Sequence, residues 1–422
     1  MSVEIRAVRA DEFAGWNRAV NVGFLRPPGV SAHDVANRLA HTDLARTQGA
    51  FDGERCVAAF RSFGHELVVP GGASVDSSAV TNVGVAPTHR RRGLLSRMMA
   101  ADLAAAKERG DVLSTLIAAE YPIYGRYGFG PATWGTEWEI GVPRTGLDRR
   151  RPGPEEKGAR VDLVDAPELR EIGPELFERF RTRQPGAVSR DRRWWELSTG
   201  LVRLDAHAPW VEPFQAVYRD PSGRVQGLAV YRSDGKWGDG KQPANTLTVE
   251  QLIAATPAAE RALWHFLCSV DWVEKVRTGL RAPDDLLPQL LPDPRAARVV
   301  THADWLWVRV LDVVRALEAR TYAAEGTLVL DVADDAGFAH GRFRLTVGAD
   351  GRGACEPTSD DADLRLDVAE LGALYLGGGS VTRLVALGRV QESGADGTGR
   401  GPAALADALL RTARQPWCPD VF

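Results

Sequence analysis

The stretch from Val83 to Thr133 restricts the possible folds of this chain more than any other. A β-type run, Ala79 to Val85, ends at Pro87, and Arg90-Arg91-Arg92-Gly93 follow. The spacing of Leu94, Leu95, Met98, Met99 and Leu103 then predicts an amphipathic helix that ends near Gly110. The order places a turn rich in guanidinium groups at a helix N-terminus. First-turn N–H groups have no helical partner there, and the helix dipole adds positive potential. Such a turn suits phosphate. It reads as the seat of an anionic, pyrophosphate-bearing ligand rather than as a plain solvated turn, because strand, Pro, Arg₃-Gly and helix occur together.

Composition narrows the remaining classes. With 422 residues, two or three domains are expected. Charged residues make up 26% and the formal net charge is −4, so the chain is not built to coat nucleic acid and the arginine cluster is local. Cys56, Cys268, Cys355 and Cys418 are far apart, which suggests neither a zinc site nor a disulfide framework, and no metal is expected. No signal-type apolar segment opens the sequence, and no run of about 18 apolar residues occurs. A cytoplasmic protein without a membrane span is expected.

In chain order, Val3–Val8 reads as a strand, Asp11 precedes a helix through Phe13, Trp16 and Val20, and Val35–Leu39 reads as a second helix. Asp52-Gly53 marks a hairpin. Strands continue through Ala58–Phe63 and Glu66–Val69 up to Pro70-Gly71-Gly72. After the arginine turn and its helix, Val112–Ala118 is a buried strand, Tyr121–Tyr127 a short helical turn, and Thr133–Val142 a further strand. The expected order is β-α-α-β-β-β-α-β-α-β, one mixed α/β domain over residues 1–150. Gly141–Gly158 is a linker, and its Arg149-Arg150-Arg151 run reads as solvated.

Residues 151–302 repeat the plan: strand Val161–Val164, helix through Ile172 and Phe180, a hairpin tipped by Pro221-Ser222-Gly223, strand Leu247–Ala254, then Thr256-Pro257 and a helix to Val270. Ala258–Ala262 stand where the first copy has its arginine turn, so the second copy reads as a duplicate without a phosphate loop. In the third segment, 303–422, Trp305–Leu311 reads as a strand buried on both faces. A helix, three strands and three more helices follow, and the tail Gln415–Phe422 is extended by Pro416 and Pro419.

Arg90-Arg91-Arg92-Gly93-Leu94-Leu95 resembles the R/Q-x-x-G-x-G/A signature of GNAT acetyltransferases, with Leu95 at a position that usually holds a small residue. The strings VAPTHRRRGLL and IYGRYGFGPAT are similar to the Eis family of actinobacterial N-acetyltransferases. The resemblance implies a mixed α/β chain: a catalytic GNAT domain, a degenerate GNAT-like domain and a sterol carrier protein-like α+β domain with the tail. It also implies acetyl-CoA as co-substrate, a small-molecule amine acceptor such as an aminoglycoside or other polyamine, and a homohexamer. Val83, Gly84 and Val85 would hold the pantetheine arm. Arg90, Arg91, Arg92, Gly93, Leu94, Leu95 and Ser96 would hold the phosphates, with Ala119 and Glu120 at the end of the neighbouring strand. Tyr124, matched to Y-x-x-x-G-F, would be the general acid for the CoA thiolate: a phenol near pKa ~10 facing a thiol near ~8.5. The α-carboxylate of Phe422 would be the general base; the residues alone would give a frayed end.

Other residues read more plainly. His89 is a solvent-facing turn residue, Glu120 could equally cap the next helix, Gly377–Gly379 is a turn between helices, and Trp194-Trp195 is packing. Phe24-Leu25-Arg26-Pro27 and Val421 depart from the acidic and aromatic residues of aminoglycoside-active members, and Arg26 would repel a polycation. A protein lysine acetyltransferase and a non-catalytic lipid- or partner-binding protein are the alternatives.

Overall fold

The computed structural model describes residues 3–147, 156–205, 209–394 and 401–422. The linker expected over 141–158 falls partly outside the described residues, and its Arg149-Arg150-Arg151 run lies wholly outside them. The class is the expected mixed α/β, built among the described residues on three sheets.

The first sheet has seven strands in the order Glu4–Ala7, Thr47–Asp52, Arg55–Val68, Ser74–Val85, Leu113–Ile117, Leu306–Val310, Gly130–Pro131. Asp52-Gly53 makes the expected hairpin turn, with Gly53 at φ 62°. The two strands expected between Ala58 and Val69 are one, because Gly64 and His65 pair with Ser78 and Ser77 and do not interrupt the ladder. Helix Leu94–Arg109 covers one face, burying Leu94, Met98, Met99 and Leu103 against Phe60, Val80 and Leu116. Each such side chain contributes roughly 1.5–3 kcal/mol when fully buried. Gly110, at φ 83°, ends the helix in a left-handed cap. Helix Phe13–Gly23 packs against the strands Arg55–Val68 and Ser74–Val85.

Two strands cross the boundaries expected at 150 and 302. The strand expected to close the first domain, observed as Trp134–Gly141, joins the second sheet between Ala297–Asp304 and Val273–Arg277. The strand expected to open the third domain, observed as Leu306–Val310, instead lies in the first sheet between Leu113–Ile117 and Gly130–Pro131. All five residues of Leu306–Val310 are buried, which suits a strand covered on both faces. Burial by itself does not say which sheet such a strand completes.

The second sheet continues through Asn245–Ala254, Val225–Ser233, Phe214–Arg219 and Arg160–Val164. The third runs Gly353–Pro357, Gly341–Val347, Gly326–Ala333, Leu364–Asp367, Val390–Glu392. Several elements were not expected. Ala297–Asp304 is largely exposed, Val390–Glu392 is short, and helix Arg192–Ser198 contains the Trp194-Trp195 pair. One hydrophobic cluster runs from Leu113, Leu306 and Val308 of the first sheet into Leu328, Leu366 and Leu371 of the third domain.

Candidate active site

Strand Ser74–Val85 pairs in parallel with Leu113–Ile117 only from Ser77 to Val80. Beyond Val80 the two strands part, and the wedge leaves the backbone of residues 81–85 unpaired on that side. A bulge sets the angle. Opposite the single residue Phe60, strand Ser74–Val85 carries two residues, Asn82 and Val83, with Asn82 in the left-handed region at φ 52°. Bulges bend a strand and re-aim its side chains, and Asn tolerates that conformation. Gly23 at the end of its helix presses on Gly84: a Cβ on Gly23 would stand 2.8 Å from Gly84 Cα. Two side-chain-free residues therefore let helix and strand meet beside the wedge.

At the mouth of the wedge the chain passes Pro87 and turns. Arg91 adopts φ 62° and Gly93 φ 72°. The first intrahelical bond runs from Arg97 N–H to Gly93 O at 3.1 Å, so the N–H groups of Leu94, Leu95 and Ser96 lack helical acceptors. These three residues line a cleft of about 490 Å³. Val83, Gly84, Val85, Arg90, Arg91, Gly93, Ala119, Glu120 and Tyr124 line it too, so the structure brings most of the expected cofactor residues into one wall. Arg92 is not among the lining residues. Its guanidinium donates to Thr88 O at 3.3 Å, because the left-handed turn at Arg91 separates its direction from that of its neighbours. A concave wall of helix N-terminal N–H groups and two arginines fits a pyrophosphate, and the open strand edge fits an amide-bearing arm.

Tyr124 is buried, with its ring edge-on to Phe129 at 6.4 Å. Burial, then the charge of Glu120, pushes its phenol up to about 12, so it stays protonated across the neutral range. Glu120 is the N-cap residue of the turn Tyr121–Tyr124, but its side chain makes no cap bond and it faces the cleft. Gly23 had no motif to announce it, and Phe24, Ile123, Arg126 and Tyr127, which lie in stretches already singled out, line the cleft without having been assigned a part in it. Tyr127 OH pairs with Ser96 Oγ at 3.0 Å and so ties the tyrosine turn to the helix N-terminus. His89, read as solvent-facing, lines the cleft, with Nε2 3.3 Å from Asp52 Oδ2 and Nδ1 2.8 Å from Thr88 Oγ1.

Phe422 does not line this cleft. Its ring packs edge-on against His65 at 5.0 Å and Phe63 at 5.8 Å, on the sheet face opposite Ser62, which bonds Asp102 of helix Leu94–Arg109. The tail leading to it is fixed rather than frayed. Trp417 N–H donates to Pro185 O at 2.9 Å, and Trp305 Nε1 donates to Asp420 O at 3.0 Å. Arg190 Nε bonds Asp420 Oδ1 at 2.9 Å with both side chains buried, and its guanidinium stacks on Phe177 and Trp194 at 3.7 Å. His65, held by Thr115 Oγ1 at 2.8 Å, is driven by burial down to about 3 and stays neutral.

The second sheet has its own wedge, and it is filled. Strands Asn245–Ala254 and Val273–Arg277 pair only from Asn245 to Thr248. Past that point Leu252 O accepts from Arg281 Nη1 at 2.5 Å, and Arg281 is held by Asp285 at 2.8 Å and lies over the Trp417 ring at 4.6 Å. The following helix, Pro257–Ser269, is closed by its own cap, Thr256 Oγ1 accepting from Ala259 N–H at 3.2 Å. A buried arginine thus occupies the backbone that lies open in the first copy.

Comparison with known proteins accords with this geometry. Two matches to an acetyltransferase (GNAT) domain cover residues 4–132 and 186–310, and a sterol carrier protein domain matches 313–419. An uncharacterized N-acetyltransferase of Streptomyces avermitilis is 65% identical over 100% of this chain and 99% of its own. N-acetyltransferase Eis of Mycobacterium tuberculosis is 33% identical over 98% of this chain and 99% of its own. Among solved structures, Eis1 from Mycobacterium abscessus superposes with a TM-score of 0.82 at 32% identity, covering 99% of this chain and 100% of that one. The chain belongs to the Eis-type N-acetyltransferases, enzymes of two GNAT domains and a sterol carrier protein domain.

Proposed function

We propose that this enzyme transfers the acetyl group of acetyl-CoA to a primary amine of a small molecule, at the first-domain cleft alone. The observation that carries the reading is the open edge of residues 81–85 leading straight to an uncapped, arginine-flanked helix N-terminus. Acetyl-CoA supplies the activated thioester carbon. The backbone of Val83–Val85 aligns the arm, and the N–H groups from Leu94 to Ser96, with Arg90 and Arg91, hold the phosphates. Tyr124 gives its proton to the departing sulfur as the C–S bond breaks. Burial and the Glu120 charge raise its pKa, which keeps that proton in place at neutral pH. The α-carboxylate of Phe422, whose ring packs on His65 outside the cleft wall, takes through a relaying water the proton that the attacking ammonium must lose. His65, kept neutral by burial, seats the Phe422 ring.

Arg26 lies exposed with its guanidinium 5.3 Å from the Phe24 ring, beside a cleft wall that includes Phe24. That charge favours an acceptor with few positive groups over a polycation such as an aminoglycoside. The enzyme works in the cytoplasm, a placement supported by its four free cysteines. It assembles as a homo-oligomer, a hexamer by family resemblance, which light scattering would overturn by returning a monomer. Thiol release from acetyl-CoA across a panel of mono-, di- and polyamines tests the reading. Tyr124→Phe should lower kcat by about 10²-fold or more while CoA still binds; equal kcat would remove Tyr124 from the reaction.

A further inference from the structure

Two residues before Phe422, Asp420 is 5% exposed, whereas Val421 between them is 68% exposed. Two residues span at most about 7 Å. Whatever fixes Asp420 therefore limits where the α-carboxylate of Phe422 can stand. The second domain holds the tail at successive points. Asp284 Oδ2 accepts from Gln415 N–H at 2.8 Å, and Gln184 Nε2 donates to Gln415 O at 3.2 Å. The Trp417 ring lies against Arg281, the side chain that fills the second wedge. The ion pair between Arg190 and Asp420 comes last.

Arg190 is itself gripped from three sides, which leaves one direction for the tail. Phe177 and Trp194 stack on its guanidinium. The Gln251 side-chain oxygen, with the amide turned to accept, takes Nη1 at 2.8 Å and Nη2 at 2.6 Å. Nε is left to meet Asp420 Oδ1. The Arg190 side chain is only 1% exposed. Burial pulls the guanidinium pKa down and pushes the Asp420 carboxyl up, and each charge opposes the shift in the other. Asp420 Oδ2 has no partner among the described residues, so the carboxylate depends on Arg190. A buried ion pair adds little net stability over an apolar pair of similar volume, and its best-attested use is to fix register. An apolar residue at 420 could settle at several points of the surrounding apolar surface. A carboxylate is tolerated only opposite the guanidinium.

We propose that Arg190 is a positioning residue for acetyl transfer: through Asp420, the second domain, whose own wedge is filled, sets where the α-carboxylate of Phe422 stands for the reaction in the first. The inference rests on the reading of that carboxylate as the proton acceptor.

Thiol release with the best amine, measured in wild-type protein, in Arg190→Gln, in protein extended beyond Phe422 and in the extended Arg190→Gln protein, tests it. Arg190→Gln should lower kcat by about tenfold or more while the KM for acetyl-CoA and the Kd for CoA stay at wild-type values. In the extended protein the same substitution should change kcat by less than about twofold, because the group it positions is already lost. The paired variant Arg190→Met/Asp420→Leu replaces the ions by apolar side chains of similar size. It should melt near the wild type and still show the low kcat; it decides the matter if Arg190→Gln does not fold. Wild-type kcat in Arg190→Gln or in the paired variant would overturn the proposal. So would an equal loss from Arg190→Gln in the wild-type and extended proteins, which would give Arg190 a purely structural part. Wild-type kcat in the extended protein would instead remove the carboxylate base itself, and this inference with it.

Discussion

Gly23 and Gly84 carry the sharpest constraint at the level of single residues. A Cβ on Gly23 would meet Gly84 Cα at 2.8 Å, whereas a Cβ on Gly15 of the same helix meets nothing within 4 Å. Gly23→Ala must therefore push the helix off the open strand edge, an overpacking strain of roughly 1–3 kcal/mol. The expected result is a rise in the KM for acetyl-CoA of about tenfold, with Gly15→Ala unchanged; equal KM values for both would refute the close approach. Acid stability reports on His65. Its folded pKa, near 3, lies below the ordinary histidine value, so the stabilisation is present above pH ~6.5 and is lost as pH falls toward 3. Urea unfolding at pH 4.5 and 7 should show about 2–3 kcal/mol lost for this residue, and His65→Gln should remove that part of the loss. An unchanged pH dependence in the variant would show that His65 is not the cause. The arginine turn was legible in the sequence because its chemistry is local: a strand, a proline, guanidinium groups and a helix start within about two turns; Tyr124 was singled out by its match to the family pattern. Gly23 was not, since its role depends on a strand sixty-one positions away.

The exchanged strand Leu306–Val310 sets the behaviour of the larger elements. It supplies the partner edge for Leu113–Ile117, four of whose five residues are buried. A fragment of residues 1–150 would leave that edge open and apolar, a template for aggregation. Such a fragment should be insoluble when expressed alone and should be recovered in soluble form on co-expression with residues 151–422. A soluble, folded fragment by circular dichroism would argue that the exchange is dispensable. Periodicity identified Trp305–Leu311 as a doubly buried strand, and the division of the chain counted it with the third segment, whereas it lies in the first sheet. A run of alternating large apolar residues states how deeply it is buried and says nothing of its neighbours. The filled wedge of the second domain was half legible: the missing arginine turn was visible near Pro257, but the plug at Arg281 comes from residues after the helix.

Across the whole molecule, the first sheet and the third domain share one hydrophobic cluster, and helix Val368–Tyr375 lies on Leu306–Val310 and Gly130. Gly130 has no room for a Cβ against Ala369 O, and Gly128 none against Arg309 Nη1. The glycines that follow Tyr124 thus serve domain docking as well as the active-site turn. The tail gathers the three domains: Trp417 joins the second-domain core, Cys418 the shared cluster, and Phe422 reaches Phe63 and His65 of the first sheet. Only the family resemblance gave that tail a role, because its anchors, Arg190 and Trp305, lie more than a hundred positions away. The most direct test is therefore to append residues after Phe422 and measure thiol release at saturating acetyl-CoA with the best amine, alongside the Kd for CoA. Loss of the free α-carboxylate should lower kcat by about 10²-fold or more with CoA affinity unchanged. Equal kcat in the extended protein, or no thiol release by the wild type with any amine, would contradict acetyl transfer at this cleft with the tail as base.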